Sequence, residues 1–153
     1  MSRICGILIV TTLALAGTAS AQEKKIQRTD LPPAVEKTVA AQTQGATIHG
    51  FSSEQEKDQM YYEVEMTVNG HGKDVLIDTQ GAVVEVEEEV ALDALPPAVK
   101  AGLTAKAGKG TIGKVESLTK SGKLVAYEAH VTTAGKKSEV QVGPDGMALS
   151  HEE

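Results

Sequence analysis

Tryptophan is absent from this chain, and its 153 residues hold only one phenylalanine, three tyrosines and one cysteine. The cysteine, Cys5, stands in a short apolar run near the N-terminus, so everything after it lacks a disulfide, a thiol nucleophile and a thiolate metal site. Arginine occurs only at Arg3 and Arg28. Tight interfaces concentrate their energy in Trp, Tyr and Arg anchors, and no such surface is visible here. Basic residues are outnumbered, 15 against 21 acidic ones, for a formal net charge of -6. That balance argues against nucleic acid, whose phosphates need Lys and Arg clusters, and against anionic membrane surfaces. Catalytic signatures are missing too. There is no Gly-x-Ser-x-Gly elbow, and the clusters Gly70-His71-Gly72 and Gly108-Lys109-Gly110 lack a phosphate-loop setting. His49, His71, His130 and His151 fall on different expected elements with no two at metal-ligand spacing, so they read as surface histidines. Neither enzyme activity nor a cofactor is expected.

The apolar run at residues 4–17 is shorter than the roughly 20 residues that span a bilayer. It follows Arg3 and leads to Ala19-Ser20-Ala21, the small-x-small pattern that signal peptidase cuts after. Residues 1–21 therefore read as an export signal, which leaves 132 of the 153 residues in a periplasmic or secreted protein with no membrane anchor. Residues 22–30 are polar and read as a flexible leader.

What the chain does contain is a repeat. Leu31-Pro32-Pro33-Ala34-Val35 returns unchanged as Leu95-Pro96-Pro97-Ala98-Val99. In the same register Val39 falls on Leu103 and Ile48 on Ile112; one inserted residue later, Tyr62-Glu63 falls on Tyr127-Glu128 and Gly81 on Gly146. Internal repetition outranks any local motif in assigning a fold, so residues 31–94 and 95–153 are expected to be two copies of one unit.

Each unit should open with a helix, because Pro33 and Pro97 suit a first helical position and Leu31, Val35 and Val39, like Leu95, Val99 and Leu103, recur at helical spacing. After Gly45 and Gly108 the period changes to two, the strand signature. Tyr62, Val64, Met66 and Val68 alternate with Tyr61, Glu63, Glu65 and Thr67, and Asn69-Gly70 is a strong hairpin turn. The expected fold class is α+β: a tandem repeat of one helix followed by four antiparallel strands, with the helices packed on one face of an antiparallel sheet. The second unit's strands are expected at residues 111–117, 124–132, 138–142 and 147–150. The helices should cover Val64, Met66, Val75, Ile77, Val84 and Val86, then Ala129, Val131, Val140, Val142 and Leu149.

The opposite face is left open. It is expected to carry His49, Tyr61, Glu63, Glu65, Leu76, Val83, Glu85 and Glu87, and in the second unit Glu128, His130 and Gln141. Tyr61, Glu63, Glu65, Leu76, Val83, Glu85, Glu87 and His130 are the candidate protein-binding residues; no catalytic residue or metal ligand is assigned. Alternation puts Glu85, Glu87 and Glu89 on one side of a strand, an oxygen-rich set that suits a calcium-type ion. A strand is not a calcium loop, however, and a solvated acidic face explains the same residues. An acidic metal-binding periplasmic protein remains the alternative reading. Charge separates the repeats: residues 31–94 hold 13 acids against 3 bases, residues 95–153 hold 6 against 8.

The LPPAV openings, the Tyr62-Glu63-Val64 and Tyr127-Glu128-Ala129 strands, and the Asp78-Thr79-Gln80-Gly81 and Gly143-Pro144-Asp145-Gly146 turns together resemble the PepSY-like family. Specifically, they resemble its tandem group, related in architecture to the β-lactamase inhibitor protein. The resemblance covers about 120 residues from Leu31 onward and implies a non-enzymatic exported module that binds or restrains another protein, such as an exported enzyme or sensor. Inhibition of a β-lactamase or a protease is the narrower version. No inhibitory residues match specifically.

Overall fold

The computed structural model describes residues 23–56, 58–151 and 153; the expected export signal lies outside them. Pro33 and Pro97 open α1 (Pro33–Gln42) and α2 (Pro97–Ala107), where a missing N–H costs no intrahelical bond. The strands are β1 (Lys24–Ile26), β2 (Thr47–Glu56), β3 (Gln59–Val68), β4 (His71–Asp78), β5 (Val83–Glu89), β6 (Thr111–Lys120), β7 (Lys123–Thr133) and β8 (Lys136–Val142). All eight form one antiparallel sheet in chain order.

The expected tandem of two helix-plus-four-strand units is therefore overturned. β5 and β6 pair from Glu85 with Lys120 to Glu89 with Glu116, so the ladder runs on through the junction between the repeats. Physically, two closed units would leave β5 and β6 as exposed edges with unpaired backbone groups, and pairing them removes both edges. The second half also has three strands rather than four. Residues 147–150 make one isolated bridge, Val142 with Ala148, because the turn before them folds toward α2 instead of extending the sheet.

Residues 24–30, expected as a loose leader, are ordered. Ile26 pairs with Phe51, and Arg28, in a short 3-10 turn (Arg28–Asp30), holds Glu36 on α1 through Nη2 to Oε1 at 2.7 Å and Nε to both carboxylate oxygens at 3.1 Å.

Both helices lie on the same face. Leu31, Val35 and Val39 bury Val64, Met66, Val75 and Ile77; Leu95, Val99 and Leu103 bury Val115, Ala129, Val131 and Val142. The last turn of each half approaches the start of its helix so closely that only glycine fits. A Cβ on Gly81 would lie 2.6 Å from the Ala34 carbonyl oxygen, and one on Gly146 would lie 2.2 Å from that of Ala98. Thr38 adds a hydrogen bond from Oγ1 to the Gly81 carbonyl, 2.6 Å.

Val83 and Val84 exchange their expected sides. The β4–β5 register runs Val75 with Val86, Leu76 with Glu85 and then Ile77 with Val83, so Val84 is the extra residue of a bulge. Val83, expected on the open face as a binding residue, packs instead against the core of α1.

Candidate acidic concavity on the open sheet face

The face without helices gathers side chains from six neighbouring strands. Alternation on β3 presents Glu63 and Glu65, on β4 Asp74 and Leu76, on β5 Glu85 and Glu87, on β6 Glu116 and Leu118, on β7 Glu128 and His130, and on β8 Glu139 and Gln141. Register sets the rows. Ser52, Glu63, Leu76, Glu85 and Lys120 lie across from one another, the next row is Gly50, Glu65, Asp74, Glu87, Leu118 and Ala126, and beyond it Glu116, Glu128 and Gln141 align. Leu118, Ala126, Ser52, Gln141 and Glu116 are buried although no helix covers them. The face is thus a hollow rather than a flat surface.

Its floor and walls enclose about 580 Å³ and are lined by nine carboxylates (Glu23, Glu63, Glu65, Asp74, Glu87, Glu116, Glu128, Glu139 and Glu153) with Lys114, His130 and Gln141. Glu116 is the deepest, with its side chain 2% exposed. The Lys114 ammonium stands 2.6 Å from its Oε1, although that atom receives no aligned hydrogen bond, and His130 Nε2 lies 3.1 Å from its Oε2. His130 Nδ1 is 3.5 Å from Glu139. Gln141 Nε2 donates to Glu128 Oε2 at 2.8 Å, and Ser52 Oγ donates to Glu63 Oε2 at 2.9 Å.

Crowding and burial move protons. Burial first, then the charges of Glu116, Glu128, Glu85 and Asp74, raise Glu87 to about 8. Glu63 is raised to about 7 by burial, against the lowering effect of the Ser52 hydrogen bond, with Asp74, Glu65 and Glu23 adding to the rise. Asp74 and Glu128 are also pushed up, chiefly by burial, with Lys114 and Gln141 respectively opposing. Burial pulls Lys114 down, but the attraction of the adjacent Glu116 carboxylate, with Asp74 and Glu87, outweighs it and the ammonium is held.

Of the sequence-derived candidates, Glu63, Glu65, Glu87 and His130 meet in this hollow. Leu76 and Glu85 border a smaller recess of about 140 Å³ beside it, shared with Glu54, Glu63, Asp74 and Glu87. Tyr61 is elsewhere: its hydroxyl donates to Gln59 Oε1 at 2.5 Å in a cleft at the strand ends with Asp78 and Val84. Val83 is on the other face. The Glu63–Glu65 and Glu85–Glu87 pairs share a face but lie on strands separated by β4. Missing from the sequence reading of this face were Glu23, Asp74, Lys114, Glu116, Glu139 and Glu153. Asp74 has the same parity as Leu76 and was available from alternation; Lys114 was hidden by a bulge in which Gly113 and Lys114 oppose His130 alone.

Chemically, the lining is suited to positive charge. Ligand atoms of Asp74, Glu87 and Glu116, of Glu116, Glu128 and His130, and of Glu23, Glu63 and Glu65 each come within 4.8 Å of one another. Three oxygens are half the sphere that a calcium-type ion takes, and Lys114 already contacts the shared Glu116. Raised carboxylates also suit general acids. Among the described residues, however, the lining offers Lys114, His130 and Gln141 as nitrogen donors for a developing negative charge, amid nine carboxylates.

No protein-family model matches this chain, and no curated protein matches it. Among solved structures it is similar to a Bacteroides eggerthii protein provisionally assigned to the periplasm (TM-score 0.63, 20% identity, 78% of this chain and 86% of that one). It is also similar to a DUF2874 family protein from Bacteroides ovatus (0.60, 23%, 79% and 86%). A third likeness is to a BLIP-like protein from Bacteroides fragilis (0.57, 25%, 80% and 86%). The similarity extends over most of each chain: the chain has a BLIP-like fold.

Proposed function

We propose that this is an exported, non-catalytic binding protein whose acidic concave sheet face holds a basic segment of another protein. The observation that carries the reading is the convergence of nine carboxylates on one hollow, two of them kept protonated to about pH 7 and about 8 by burial and by neighbouring carboxylates. A protein cation entering the hollow relieves that repulsion, whereas an anionic or apolar partner gains nothing there. Export is supported by the N-terminal signal pattern and by the periplasmic assignment of the structural neighbour from B. eggerthii. The PepSY-like resemblance of the LPPAV units points the same way, toward a module that restrains a partner. Inhibition of an exported enzyme is a narrower form of this reading, suggested by the name of the B. fragilis neighbour. The hollow lacks Trp and Arg, so its affinity comes from charge rather than from aromatic anchors.

The test is calorimetric titration of the mature chain with a short oligolysine peptide. Saturable binding that weakens with salt, and that falls at least about tenfold when Glu65, Asp74 and Glu87 are changed together to Gln, supports the reading. Binding unaffected by those changes sinks it. So does saturable calcium uptake with no response to the peptide.

A further inference from the structure

We infer that Lys114 is a tethered counter-ion that occupies the acidic hollow in the free protein and is displaced from Glu116 when a basic partner segment enters. The inference rests on the proposed binding function but on separate observations. The β6 bulge sets Gly113 and Lys114 opposite His130, which keeps Ile112 turned toward the core of α2 while aiming Lys114 into the hollow. Bulges commonly re-aim a side chain in this way. From β6 the ammonium reaches the 2%-exposed Glu116 and acts on Asp74 of β4 and Glu87 of β5, so it stands where charges from three strands meet. Among the described residues it is the only lysine lining the hollow.

The two halves of the Lys114–Glu116 pair differ in freedom. Glu116 is fixed in the floor, whereas the Lys114 side chain is 39% exposed on a flexible four-carbon stem. Lys114 can swing out at the cost of rotamer entropy; Glu116 cannot follow and would be left as a buried charge held by His130 alone. An incoming ammonium that takes the vacated position restores the pair, and the exchange becomes favourable once further lysines reach Glu63 and Glu65. Lys114 thereby sets a threshold. A single cation merely swaps with it, whereas a run of basic residues gains contacts that Lys114 does not make.

The experiment compares the mature chain with Lys114→Gln, Lys114→Arg and, as a control of equal charge change, Lys136→Gln on the exposed edge strand. Two readouts are taken. Carboxyl-carbon NMR titration should move the Asp74 transition to higher pH in Lys114→Gln and leave it in place in Lys136→Gln. Oligolysine should bind Lys114→Gln about fivefold tighter than the parent, with Lys136→Gln and Lys114→Arg within about twofold of it. An unmoved Asp74 transition, or equal gains from Lys114→Gln and Lys136→Gln, overturns the tethered counter-ion while leaving the binding function standing. Absence of peptide binding by every chain removes the binding function and with it the displacement step, even if the Asp74 transition moves.

Discussion

Glu87 shows how one residue reports on its surroundings. Its ordinary value is 4.5, and in the folded chain it rises to about 8 through burial and the charges of Glu116, Glu128, Glu85 and Asp74. The folded state therefore binds more protons than the unfolded chain between those two pH values. A raised carboxylate contributes its stability fully below about pH 4.5, and the contribution is lost as pH rises through about 8. Thermal unfolding should accordingly move to lower temperature from about pH 6 to about pH 9. Glu87→Gln should flatten that slope and leave the variant more stable than the parent at the alkaline end, on the order of 1–2 kcal/mol after allowing for solvent screening. Parallel curves for parent and variant would show that Glu87 is an ordinary surface carboxylate. The same sign applies to Glu63, whose lower folded value places its loss nearer neutral pH. Alternation along β3 and β5 was enough to put both residues on the open face. It gave no hint of their altered acidity, which depends on partners from β4, β6 and β7 brought in by strand order.

At the level of elements, the repeated LPPAV has a mechanical role. Its prolines start α1 and α2, its Leu and Val fill the first turn of each buried stripe, and its alanines offer carbonyls against which Gly81 and Gly146 are seated. Gly146 has φ of +80°, and any Cβ there would meet the Ala98 carbonyl carbon at 2.4 Å as well as its oxygen at 2.2 Å. Gly146→Ala should therefore cost about 2–4 kcal/mol, combining the positive-φ penalty with the displacement of α2. An unchanged denaturant midpoint would mean that α2 is not seated on this turn. Helix starts, hairpin turns and most of the core were legible because each depends on residues close in sequence. Others were not. The bulge that turns Val83 inward and Val84 outward has no local signature in a run of alternating Val and Glu. The pairing of β5 with β6 depends on the edge that each half would otherwise expose, a property of the assembled sheet and not of either repeat.

Joined through that pairing, the molecule places charges from both repeats in one hollow. Glu63, Glu65, Asp74 and Glu87 come from the first, and Lys114, Glu116, Glu128, His130 and Glu139 from the second. Although residues 95–153 carry more bases than acids, they bring four carboxylates and one lysine to the hollow, so both halves make it acidic. A basic partner entering it favours the ionised carboxylates, so binding should release protons from Glu63 and Glu87 while lysine side chains, with pKa near 10.4, stay charged. Affinity for oligolysine should therefore rise from about pH 6 to about pH 8.5, through the range in which those two groups titrate. The binding heat measured in buffers of different ionisation enthalpy should differ by the protons released. At fixed pH, raising salt from about 50 to about 200 mM should weaken binding roughly tenfold, since the screening length falls to the dimensions of the hollow. An affinity that is flat with pH, together with heats that do not depend on buffer, would mean that the partner never reaches the two protonated carboxylates and that contact is confined to the exposed rim.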